Sequence, residues 1–167
     1  DMHIEKQRLV RALLRENLSP FAEEKGLYIS GFEFSQGSRG LLLQIYLDGD
    51  DGVSIAQCAK LTKEFSPILD AEDPIPDAYT LEVSSPGTDR ILELPKDFER
   101  FLNYHIRIKR VSYKSKLEAV LLGFTDEGIE VETISDTRFI NFNEISIIRL
   151  HPTDEELQLL IAGANNE

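Results

Sequence analysis

Apolar residues recur along the start of the chain at the three- and four-residue steps of an amphipathic helix. Leu9, Val10, Leu13, Leu14, Leu18 and Phe21 share this spacing with charges between them, which predicts a helix over residues 4–25. Ser19-Pro20 inside the run predicts a kink or a restart, and Gly26 a stop. The period then shortens. Residues 27–35 and 41–48 read as a β-hairpin, with Leu41, Leu43, Ile45 and Leu47 on one face. A second helix is predicted over 54–70. Ser54 and Gln57 form its capping box, and Cys58, Leu61, Phe65, Ile68 and Leu69 form its buried stripe. Pro67 removes a donor deep in that helix and predicts a kink, with Ser66 capping a new turn. After an acidic, proline-marked loop over 70–77, Tyr79, Leu81 and Val83 alternate with Thr80, Glu82 and Ser84 as a half-buried strand. Ser85, Pro86 and Gly87 end it, Pro by fixing φ and Gly by permitting positive φ. The first half therefore reads α-β-β-α-β, one sheet face covered by two helices.

Beyond this point the pattern is that of an all-β unit. Residues 96–102 read as a short helical turn with Phe98 and Phe101 three apart. Five short apolar-rich runs follow, at 104–111, 117–124, 129–134, 138–142 and 145–150, with a spacing that suits a small closed barrel. In the first of them Tyr104, Ile106 and Ile108 face one way, and His105, Arg107 and Lys109 the other. A terminal helix over 153–163 is predicted from the Thr153/Glu156 capping box, docked by Leu157, Leu160 and Ile161. The stretch at 79–94 is thus the expected joint of two small domains, 1–92 and 93–167.

Charge sharpens the picture. The 167 residues carry a net charge of −12, which argues against a general nucleic-acid binder. The charge is uneven: residues 1–94 hold 9 basic and 17 acidic side chains, and residues 95–151 hold 9 of each. Within the second set Arg107, Lys109, Arg110, Lys114 and Lys116 form a concentrated cationic segment without an acid. Two readings stand for it: a solvated strand face and loop, or a contact with an RNA backbone or an RNA-rich particle. An acidic first domain would repel free RNA and favour a basic protein partner.

Other chemistry is sparse. The single cysteine, Cys58, allows no internal disulfide and sits on a core stripe, where a small packing residue is expected rather than a nucleophile. His3, His105 and His151 lack metal-ligand spacing. Asp48-Gly49-Asp50-Asp51-Gly52 does not fit the EF-hand frame, because Gly52 and Val53 fall at positions five and six and Ala59 at twelve. Gly37-Ser38-Arg39-Gly40 echoes the GxxG of KH domains, but it lies between two strands and reads as a hairpin turn. Ser84-Ser85 has no evident base and reads as turn chemistry. No catalytic, cofactor or metal residues are assigned. No apolar run has the length of a membrane span, and the start lacks a signal-peptide pattern; Asp1 reads as a leftover ahead of a natural Met2 start.

The strings LEVSSPGTDR at 81–90 and DFERF at 97–101 carry a resemblance to the ribosome maturation factor RimP family. EEKGLYISGFEF (23–34), YLDGDDGVSIAQC (46–58) and LDAEDPI (69–75) support it. The resemblance runs from about residue 4 to about residue 152. It implies an α+β chain: an N-terminal two-layer α/β domain followed by an SH3- or Sm-like small β-barrel. It also implies a non-enzymatic role in late assembly of the small ribosomal subunit in the bacterial cytoplasm. The implied partners are the immature particle and the twelfth small-subunit ribosomal protein, with contact to small-subunit ribosomal RNA and no membrane. Nothing suggests a dimer seam, so a monomer is expected. The alternative is an RNA-binding regulator that uses the basic segment. Glu82, Ser84, Ser85, Pro86, Gly87, Asp89 and Arg90 match the signature, while Thr88 and Ile91 stand where Leu and Pro are more usual. Asn103 replaces a usual Gly and is expected to keep the positive φ. The signature is read as a bend with Asp89 or Arg90 pinning the two domains, or else as a partner surface.

Overall fold

The computed structural model describes residues 4–165. Asp1, Met2 and His3, on which the reading of the natural start and one histidine rest, lie outside them. The chain divides into two compact units, one ending at Pro86 and one beginning at Gly87.

In the first unit, α1 (Ile4–Glu23) precedes the antiparallel hairpin β1 (Tyr28–Gly37) and β2 (Gly40–Asp48); α2 (Ile55–Glu72) then leads to β3 (Tyr79–Ser84). β3 lies parallel to β2, giving the order β1-β2-β3. A parallel pair needs a crossover, and α2 supplies it. Leu41, Leu43, Ile45 and Leu47 are buried, and they pack with Val10, Leu14, Leu18 and Ala22 of α1 and with Cys58, Leu61, Phe65 and Leu69 of α2. The helical stripe on α1 is narrower than its apolar spacing suggested: Leu9 is 73% exposed, and Leu13 is exposed as well. A face set four residues apart, from 10 through 14 and 18 to 22, meets the sheet, and Leu9 falls outside it.

Neither helix is interrupted at its proline. α1 runs through Pro20, whose carbonyl still accepts from the Glu24 N–H at 3.1 Å, and α2 runs through Pro67. Ser66 caps no new turn; its hydroxyl donates back to the Thr62 carbonyl at 2.8 Å. Packing against the sheet holds each helix together across the lost donor. Gly26 ends the first helical segment in the left-handed region at φ 71. The Ser54/Gln57 capping box forms in both directions, and Asp73, at φ 44, closes α2.

The second unit holds α3 (Pro95–Arg100), β4 (His105–Arg110), β5 (Leu117–Phe124), β6 (Gly128–Glu132), β7 (Thr137–Asn141), a 3-10 turn (Phe142–Glu144), β8 (Ile145–Leu150) and α4 (Asp154–Asn165). The strands form one antiparallel sheet in the order β7-β6-β5-β4-β8. No ladder joins β7 to β8, so the sheet is β-rich but not closed as the strand spacing led us to expect; the 3-10 turn carries the chain from one edge to the other. Inward residues Ile106, Ile108, Leu121, Ile129, Val131, Ile148 and Leu150 form the core with Phe98 of α3 and Phe101 just after it. Asn103 takes φ 70, as expected for a residue standing in for glycine.

Candidate functional site

The signature falls on both sides of the division at Pro86/Gly87. Glu82 lies exposed on β3, opposite Gln44 of β2, and shares the sheet face away from the helices with Thr80 and Ser84. Ser84 and Pro86 are half-buried, and Ser85, Gly87 and Asp89 are exposed. Gly87 does not take the positive φ expected of it; a Cβ there would stand 3.0 Å from the carboxylate of Asp89, an exposed side chain that can swing aside.

Arg90 differs in kind from the rest of the signature. It is 8% exposed and its guanidinium lies 3.6 Å from Asp97 Oδ1, with Asp97 itself 1% exposed. The N–H groups of Glu93 and Leu94 donate to Asp97 Oδ2 at 3.3 and 3.1 Å, so the carboxylate also satisfies open donors at the start of α3. Arg90 further lies over the Phe101 ring at 5.5 Å, and Arg100 over the same ring at 4.8 Å. The backbone is fixed as well. Arg90 C=O accepts from Leu150 N–H, Leu92 N–H donates to Ile148 C=O, and Ile91 bridges to Arg149. Residues 90–92 therefore add a short strand to the β8 edge. The two most specific strings in the sequence, ending in Arg90 and beginning at Asp97, meet here inside the second unit.

The cationic segment does not form one strip. Arg107 and Lys109 lie on the outer face of β4. Arg107 is engaged: it donates to Glu118 at 2.7 Å and lies 3.0 Å from His151 Nε2. Its hydrogen bond, then its charge, holds the exposed Glu118 carboxyl below the usual carboxylate range. Arg110 has the opposite parity, that of Ile106 and Ile108, and follows a register shift against β8. Its guanidinium stacks on the Tyr113 ring at 3.7 Å. Lys114 and Lys116 lie exposed in the β4–β5 loop, and neither they nor Lys109 meet a carboxylate among the described residues. Arg110, Val111, Ser112 and Tyr113 form one wall of a cleft of about 480 Å³; Arg138, Phe139 and Ile140 of β7 and Asn143 and Glu144 of the 3-10 turn form the other. The sequence reading missed this cleft because its walls are 25 or more residues apart. The available signal was Phe139, an aromatic next to inward Ile140 and hence of solvent parity.

A third polar cluster docks α4. Glu156 accepts from the Thr153 N–H at 3.0 Å as half of its capping box, from the His105 N–H at 3.2 Å, and from His105 Nδ1 at 3.0 Å. Burial works to raise its pKa, but these hydrogen bonds and the His105 charge outweigh it and the carboxyl titrates below its ordinary range. Leu160 packs against the core and Leu157 is half-buried, whereas Ile161, expected to dock, is 58% exposed. Cys58 lies in the first core, where burial pushes its thiol up and away from thiolate chemistry. Among the described residues no group of three or more His, Cys, Asp or Glu is placed to hold a metal ion, and no helix is long and apolar enough to cross a membrane.

The α-β-β-α-β layer has a known counterpart. Residues 17–89 match the family model described as the RimP N-terminal domain, from the middle of α1 through the signature to Asp89. The first unit is thus a RimP N-terminal domain. This match over the first unit supports the RimP family, a family of ribosome maturation factors.

Proposed function

We propose that the protein serves late assembly of the small ribosomal subunit in the bacterial cytoplasm, binding the immature particle and the twelfth small-subunit ribosomal protein as a monomer and without catalysis. The observation that carries this reading is the RimP N-terminal domain over residues 17–89. In this reading β4–β8 with their 3-10 turn act as an SH3- or Sm-like barrel. The acidic first unit meets a basic protein, and Lys109, Arg110, Lys114 and Lys116 meet ribosomal RNA. The free state of the three lysines supports the last point, because an ammonium already paired would have to give up its partner to reach a phosphate. Arg107, bound to Glu118, contributes least. A binder of this kind acts by population shift: it stabilises one assembly intermediate over its competitors.

Co-sedimentation with immature small subunits, mature small subunits and naked ribosomal RNA near physiological salt tests the proposal. Selective retention by immature particles is the expected result. Equal binding to naked RNA would replace it with a regulator acting on free RNA, and binding to none of the three would remove it.

A further inference from the structure

We propose that the cleft between the β4–β5 loop and β7 is a site for unpaired RNA bases, with Lys114 and Lys116 of the same loop holding the phosphates that flank them. The inference deepens the RNA contact proposed above and rests on it. Its physical basis is a set of side chains that packing does not explain. Tyr113 is 57% exposed, Phe139 45% and Val111 44%, and none of the three belongs to the core of the second unit. Two partly exposed aromatic side chains thus line one cleft. Exposed apolar side chains gathered around one cleft mark a candidate binding surface.

The chemistry of the walls selects that ligand. The Arg110 guanidinium lies over the Tyr113 ring at 3.7 Å, which joins a cation to an aromatic surface. Nucleobases stack on aromatic rings and on guanidinium planes, and they do so without much regard to sequence because every base has a π-face. The volume, about 480 Å³, suits a ligand of small-molecule size. The one acid in the lining, Glu144, is turned to the backbone, where its Oε2 accepts from the Asn141 N–H at 3.0 Å. Arg138 is held in place by Asp136. An acidic peptide would engage the cations but leave the rings uncovered, so the rings decide for RNA. A duplex keeps its bases stacked inside and cannot present them, so the site prefers single strands.

Fluorescence anisotropy with the full chain and two labelled RNAs tests this: a single-stranded decamer and a hairpin duplex of equal length. The decamer is expected to bind at least ~10-fold more tightly than the duplex. Tyr113→Ala and Phe139→Ala should each weaken it about tenfold at unchanged melting temperature, a value within the range for loss of one stacked base. Tyr113→Phe keeps the ring and should keep the binding, which separates stacking from any folding defect. Replacing Lys114 and Lys116 by Gln should flatten the dependence of log K on log salt by about 1.4, since each phosphate contact on a single strand contributes roughly 0.7. Equal affinity for duplex, indifference to both aromatic substitutions, displacement of the decamer by polyglutamate while the aromatic variants bind normally, or no binding by the unmutated chain would each overturn the inference. Parallel co-sedimentation keeps the two proposals apart. A chain that sediments with immature particles but ignores the decamer sinks only the cleft, and one that binds the decamer but not the particles sinks only the assembly reading.

Discussion

Replacing Asp97 by Ala should remove more stability than any exposed charge in the protein. Three interactions end on this carboxylate: Arg90 at 3.6 Å and the N–H groups of Glu93 and Leu94 at 3.3 and 3.1 Å. Both charged side chains are almost wholly out of water, at 7% and 2% exposure. Removing one member of a buried ion pair costs about 3–5 kcal/mol, chiefly because the remaining charge stays desolvated. The Arg90 contact is longer than a hydrogen bond, which places the expected loss near the lower end, about 3 kcal/mol. For a unit of this size that corresponds to a fall in melting temperature of roughly 12–24 °C. Urea titration followed by circular dichroism reads the loss directly. Asp97→Asn keeps an acceptor for the Leu94 N–H but discards the charge, so it should lie between Ala and the unmutated chain. Adding Arg90→Met to Asp97→Asn removes the buried cation that has lost this carboxylate and should restore part of what Asp97→Asn lost. A loss below about 1 kcal/mol in Asp97→Ala, or a double variant no more stable than Asp97→Asn, would refute the view that the pair is a desolvated strut.

Three further outcomes follow from the geometry. Leu14→Ala, at a 2% exposed position, should cost about 2–5 kcal/mol, whereas Leu9→Ala, 73% exposed, should stay within about 0.5 kcal/mol; similar losses in chemical denaturation would contradict the assigned face of α1. Gly128→Ala should disrupt the β6–β7 ladder, because its Cβ would overlap the Ile140 carbonyl and stand 2.9 Å from Asn141 Cα, backbone that has no rotamer to change; amide hydrogen exchange should show the loss in residues 137–141, and full protection there would refute it. Glu156 titrates below its ordinary range, so its contribution to holding α4 is complete above that range and disappears as pH falls through the depressed value; the stability gap between the unmutated chain and Glu156→Gln should therefore close in acid, and a gap that persists or widens there would show the sign to be wrong.

Local pattern and capping chemistry determined most of the elements. The period-2 run at 41–47, the Ser54/Gln57 and Thr153/Glu156 boxes and the stop at Gly26 depend on neighbours a few residues away, and each forms as the sequence predicts. The family was legible for the same reason, being carried by contiguous strings whose N-terminal portion the family match covers. Pro20 and Pro67 show where local reasoning ends. The missing donor is a local cost, but burial against a sheet is a tertiary gain, and the helices persist. The same limit applies to sites. That Arg90 meets Asp97 and Phe101, that Arg107 is occupied by Glu118 while Lys109 is not, and that Tyr113 and Phe139 line one cleft are all consequences of strand order and register. Charge along a sequence says how many cations a segment holds. Only the pleat, which sends alternate residues to opposite faces, and the turn that brings β7 beside the end of β4 decide which of them share a surface.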